Sequence, residues 1–108
     1  MIHEEICTYE VCKLSNEKGF DVPTAKNYRH ENGTTCNAPT QSLLQRWLRE
    51  KKGIIIELKY SDSTESWRPF WSWCIYNNLG IIIEIGDSSP TYELALEDAL
   101  KYALENLV

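Results

Sequence analysis

PTQSLLQRWLREKKGIIIELKY, residues Pro39 to Tyr60, contains one complete helix, one stop signal and one buried strand, and its reading decides the fold. Thr40 is placed to act as an N-cap, its hydroxyl accepting from the free N–H groups of the first turn. Pro39 before it holds the entering chain extended, because the ring fixes φ. Leu43, Leu44, Trp47 and Leu48 recur at helical spacing and make one apolar stripe, with Gln45, Arg46, Arg49 and Glu50 on the other side. Lys51 and Lys52 complement the negative end of the helix dipole. Gly53 takes a left-handed conformation at little cost, so Ile54 can fold back onto Leu48.

Downstream, the period changes from 3.6 to 2. Ile54, Ile56, Leu58 and Tyr60 share one strand face, opposite Ile55, Glu57 and Lys59. A polar loop follows from Ser61 to Ser66, and Pro69 fits only the opening or edge of the next strand. Phe70 to Tyr76 places Trp71, Trp73 and Ile75 on one face and Phe70, Ser72, Cys74 and Tyr76 on the other. Asn77-Asn78-Leu79-Gly80 reads as a hairpin turn. In the third strand, Ile81, Ile83 and Ile85 alternate with Ile82 and Glu84. A last helix over 92–107, capped by Ser89 or Thr91, carries a wide apolar face built on Tyr92, Ala95, Leu96, Ala99, Leu100, Ala103, Leu104 and Leu107. The expected class is α+β. Strands 54–60, 70–76 and 80–85 form an antiparallel sheet, covered on one face by helices 40–52 and 92–107.

Upstream, Thr8 caps a short helix in which Glu10 suits the first turn. Cys7 and Cys12 fall at the two positions of a hydrophobic staple across that cap. Gly19 closes the helix. Between Asp21 and Ala38 the periodicity gives way to turn formers, with Asn32-Gly33 suited to the tip of a small hairpin. Val22, Tyr28 and Cys36 are the residues able to pin this stretch. A connection of this length is the first place to look for a binding loop or for disorder. Residues 1–38 read as a loosely attached helix-plus-loop appendage, and 39–108 as the α-β-β-β-α core of a single domain.

The 108 residues suit one domain able to bury about 60–70% of its unfolded surface. Residues 1–53 hold eight Lys/Arg and seven Asp/Glu, whereas residues 54–108 hold three and nine, so the net charge of −5 belongs to the C-terminal half. An acidic half of this kind repels phosphate backbones and anionic lipid. No run approaches the ~18 apolar residues of a membrane span. MIHEEICTYE carries acids where a signal peptide carries bases. Four irregularly spaced cysteines make no disulfide scaffold. The simplest expected compartment is a reducing cytoplasm.

TYEVCKLSNEKGF, PTQSLLQRWLREKKGI and TYELALEDALKYALENL together resemble a family of short uncharacterised proteins common in Bacteroides-type gut bacteria and in their phages and mobile elements. The resemblance covers nearly the whole chain and is most specific over Pro39 to Glu50. The chain departs from the family pattern at Ser15-Asn16 and at Lys51-Lys52-Gly53. The family has no assigned activity, so the resemblance implies a phage or mobile-element setting and no catalytic residue.

The chemistry-bearing residues point the same way. Cys7, Cys12 and Cys36 with His3 or His30 match no common zinc spacing, and buried structural thiols are the expectation. Cys36 with His30 is the one local nucleophile–base pair, and it lacks a third, orienting group. No glycine motif for phosphate is present, and no cofactor or metal is expected. Trp71 and Trp73 belong with Ile75 on a core face, while Trp67, in the loop, is the tryptophan most apt to be exposed. From residue 40 onward the order helix–strand–strand–strand–helix is that of double-stranded RNA-binding domains. However, Ser88 to Glu93 stand where such a domain needs lysines, so the analogy is one of topology only.

Two functions follow. The first is a non-catalytic interaction protein whose acidic half docks on a basic host or phage protein, through a surface including Glu84, Asp87, Glu93, Glu97, Asp98 and Trp67. The alternative is a nucleic-acid or nucleotide binder using the basic helix 40–52, with Arg46, Arg49, Lys51 and Lys52, and exposed tryptophans. A homodimer is compatible with either.

Overall fold

The computed structural model describes residues 5–61, 70–86 and 89–108. The elements run α1 (Tyr9–Glu17), β1 (Asn27–Arg29), β2 (Thr35–Asn37), α2 (Gln41–Lys52), β3 (Ile55–Ser61), β4 (Phe70–Tyr76), β5 (Ile82–Ile85) and α3 (Tyr92–Asn106). β3, β4 and β5 form an antiparallel sheet in that order, and β1 pairs with β2 in a separate hairpin. The class is α+β, as the change of period implies. α2 and α3 pack on the sheet and on each other.

The caps explain where the helices begin and end. The hydroxyls of Thr8, Thr40 and Thr91 each accept the N–H three residues on, from Val11, Leu43 and Leu94. Gly53, at φ 67°, ends α2, and the Ile54 N–H reaches back to the Leu48 carbonyl at 3.1 Å. Of the two cap candidates for the last helix, Thr91 is the one used. Ser89 instead exchanges backbone hydrogen bonds with Trp71, at 2.8 and 2.7 Å.

The core centres on Leu44 and Leu48 of α2, Ile75 of β4, and Leu100 and Leu104 of α3, all fully buried. Across the sheet, Ile56 pairs with Ile75, Leu58 with Trp73, and Tyr60 with Trp71, which sets the face beneath the helices. Ala95, Ala99 and Ala103 are all at 0% exposure, their short side chains letting α3 approach that face closely. Gly86 serves a similar end. A Cβ there would lie 1.8 Å from the Trp73 ring, so the indole rests directly against the backbone just past β5.

Two sequence expectations need correction. The N-terminal segment is not a loose preface. Cys7, Val11, Cys12, Phe20, Cys36 and Ala38 belong to the same buried cluster as α2 and α3. Cys7 and Cys12 are completely buried at their staple positions, and the Phe20 ring packs edge-on against Trp47, centroids 5.4 Å apart. The 21–38 connection is organised around the β1–β2 hairpin, with Asn32-Gly33 in its turn and the Tyr28 hydroxyl donating to the Cys7 carbonyl at 3.1 Å. The second correction concerns the third strand. It starts at Ile82, because the Asn77 side chain and backbone hold Leu79 to Ile81 in the turn. A register shift then breaks the alternation, and Ile81, Ile82, Ile83 and Ile85 are all exposed.

Trp47 is 6% exposed, packed by Phe20 on one side with the Lys52 ammonium over its ring. Trp47→Ala is expected to cost about 3–5 kcal/mol, as other large-to-small core changes do. Urea denaturation measures it. A midpoint unchanged from wild type would mean the ring does not anchor α2.

Candidate functional site

The acidic residues singled out from the sequence lie on β5 and α3, apart from Asp87, which with Trp67 falls outside the described residues. Three of the other four carboxylates accept hydrogen bonds from neighbouring elements. Glu84 accepts from the Tyr102 hydroxyl at 3.1 Å and, through its other oxygen, from its neighbour's N–H on Ile85 at 3.1 Å. The bond to Glu84 pushes the Tyr102 hydroxyl pKa up. Asp98 accepts from the Trp73 indole N–H at 3.1 Å.

Glu97 does most. One of its oxygens takes the Thr8 backbone N–H at 2.6 Å, and the other takes the amide of Gln41 at 2.9 Å. That same Gln41 nitrogen also donates to the Glu93 carbonyl at 2.9 Å. Glu97 therefore ties the start of α1 and the start of α2 to α3. Read as a surface charge, it is a structural acceptor. A signal for it was present in the sequence: Gln41 shares the helical face of Leu44 and Leu48, so its amide is buried and needs acceptors.

Glu93 is the candidate left with an exposed and unspent side chain. It borders a shallow depression of about 150 Å³ between the starts of α2 and α3, also lined by Glu5, Gln41, Gln45, Tyr92 and Leu96. Along α3 the acids Glu93, Glu97, Asp98 and Glu105 face a single cation, Lys101. Lys101 is itself held by Glu10 at 3.0 Å and Glu105 at 3.8 Å.

A larger open groove, about 910 Å³, separates α1 from the β1–β2 hairpin. It contains both members of the thiol–imidazole pair, but not as a catalytic couple. The His30 Nδ1 is hydrogen-bonded with the Tyr9 hydroxyl at 2.6 Å. Burial pushes the Cys36 thiol up, away from the reactive thiolate form. The Cys7 thiol is pushed well above its ordinary value, first by hydrogen bonding with the Cys12 thiol and then by burial. All four cysteines are free and buried. Among the described residues, no group of three or more His, Cys, Asp or Glu side chains is arranged to hold a metal ion.

The basic helix is less available than its composition implies. Arg46 pairs with Glu50 at 3.0 Å, and Lys52 lies 5.5 Å from the Trp47 ring centroid, which leaves Arg49 and Lys51. Trp47 and Trp73 are buried, and Trp71 is held edge-to-face between Tyr60 and Tyr92. No helix among the described residues is long and apolar enough to cross a membrane. No protein-family model, curated protein or solved structure matches the chain.

Glu97→Ala removes one of the two acceptors of the buried Gln41 amide and the acceptor of the exposed Thr8 N–H. The expected loss is about 1.5–3 kcal/mol, typical of hydrogen bonds to a charged group. It is read as a lowered urea midpoint, with faster amide exchange at Thr8 than at α3 core amides such as Leu100. Wild-type exchange at Thr8 in the variant would show that the carboxylate does not clamp α1.

Proposed function

We propose that this chain is a small non-catalytic binding protein whose acidic C-terminal half docks on a basic surface of another protein. The observation that carries the reading is the charge balance of α3. Four acids stand against one lysine, and that lysine is already neutralised by Glu10 and Glu105. A face of one sign steers an oppositely charged partner and speeds encounter. Beside it, the depression bordered by Glu5 and Glu93 is of a size to receive one Lys or Arg side chain from that partner. The proposed setting is the cytoplasm of a bacterial host, with a host or phage protein as the partner. This setting rests on the family resemblance of the three segments quoted above.

The non-catalytic part rests on how the reactive groups are used. The cysteine thiols are buried, and burial and hydrogen bonding raise those of Cys7 and Cys36. The carboxylates of Glu84, Glu97 and Asp98 hold elements together. Duplex binding draws its free energy from Lys and Arg displacing counterions. Here, two of the four α2 cations are engaged within their own helix.

The test is a titration with a labelled Lys/Arg-rich peptide and, separately, with labelled duplex DNA and RNA, at ~50 mM and ~500 mM salt. The peptide is expected to bind at low salt and weaken at high salt. Glu93→Lys with Glu105→Lys is expected to weaken it by about tenfold or more, roughly 1.4 kcal/mol. Sub-micromolar, salt-sensitive duplex binding that survives the double reversal would replace this reading with the nucleic-acid one.

A further inference from the structure

We infer that the β5 edge of the sheet is a homodimer interface, formed by two copies of this chain around a two-fold axis. The inference concerns a different surface from the acidic face and does not rest on it. Leu79, Ile81, Ile82, Ile83 and Ile85 are 78, 59, 52, 40 and 62% exposed, consecutive but for Gly80 and Glu84. No described strand lies beyond β5. Scattered apolar residues on a surface need no explanation, but a continuous run on a sheet edge marks a contact site. Five large aliphatic side chains supply the apolar centre of an interface of the usual ~800 Å² per partner.

Charge argues for a second copy as the occupant. The chain carries −5, so contacts between copies through most of its surface bring like charges together. From Leu79 to Gly86 the one ionisable side chain is Glu84, and both its oxygens are spent within the chain, on Tyr102 and on Ile85 N–H. One carboxylate in eight residues, already hydrogen-bonded within the chain, offers a basic partner little, whereas an acidic chain tolerates its own copy there better than across its more densely charged faces.

The strip is also self-complementary. An antiparallel two-fold centred on Ile83 sets Ile81 opposite the second copy's Ile85 and Glu84 opposite its Ile82. No carboxylate then faces another, and directly opposed like charges are avoided. The other edge of the sheet, β3, bears the exposed Glu57 and Lys59 instead, so β5 finds its match in β5 rather than in β3. The pairing therefore closes at two copies and does not propagate. The Ile85 N–H is already taken by Glu84, so the contact rests chiefly on the apolar side chains.

Sedimentation equilibrium from ~1 to ~200 μM, a range that brackets micromolar dissociation constants, tests it. The expected result is a concentration-dependent shift from 12.5 kDa to twice that mass. Dimerisation should tighten between ~50 and ~500 mM salt, as screening removes repulsion between two acidic bodies. Ile83→Lys and Ile85→Lys, each checked for wild-type circular dichroism, should weaken it at least ~10-fold. Leu79→Lys, in the exposed turn, serves if either strand variant fails to fold. A mass fixed at 12.5 kDa throughout, dimers unaffected by the folded variants, association that weakens with salt, or open-ended growth would each overturn the inference.

Discussion

Glu97 accepts from the Thr8 N–H and from the Gln41 amide, and these two residues stand at the N-terminal ends of α1 and α2. Both helix dipoles point their positive ends at it, an arrangement that favours a negative charge. Two backbone bonds run beside this clamp, from Cys7 N–H to the Pro39 carbonyl at 3.0 Å and from Gln41 N–H to the Glu5 carbonyl at 2.8 Å. Together they hold the N-terminal segment in the core, where Cys7 and Cys12 pack without exposure. The negative charge of Glu97 also disfavours a thiolate at Cys7, adding to the hydrogen bond with Cys12 and to burial.

A second set of polar contacts fixes α3 on the sheet. Trp73 lies against Gly86 and donates to Asp98, while Tyr102 tilts against the Trp73 ring and donates to Glu84. The acidic residues of this half thus have two effects. Their oxygens satisfy specific donors, and their charges, unmatched by bases, give α3 a negative field. Structural use of a carboxylate does not remove its charge, so the docking proposal survives the finding that three of the candidate acids are hydrogen-bond acceptors.

Much of this was legible from residue types. Gly53, the Thr8 and Thr40 caps and the Leu44/Trp47/Leu48 stripe are local features with one physical solution each, and α2 follows them to the residue. The β4 pattern Trp71, Trp73, Ile75 likewise predicted which face lies under the helices. What could not be read were relations between distant positions. Glu97 looks like any solvent-facing glutamate until Thr8 and Gln41 are brought to it from 89 and 56 residues away. Gly86 looks like a turn glycine until the Trp73 ring is laid against it. In β5, three isoleucines promised burial, but a strand is buried only where something covers it, and the register shift next to Tyr76 leaves them exposed.

Two faces of one small domain carry opposite charge: an acidic α3, proposed to meet a basic partner, and an α2 of whose four cations two are engaged within their own helix. The most direct test is a residue-resolved map of backbone amide shifts as a Lys/Arg-rich peptide and then a DNA duplex are added at ~50 mM salt, where charge is least screened. Peptide-induced shifts are predicted to gather at Glu93, Glu105 and the residues lining the depression between α2 and α3, with the duplex causing none of comparable size. Duplex-induced shifts centred on Arg46 to Lys52, with α3 silent to the peptide, would contradict the account.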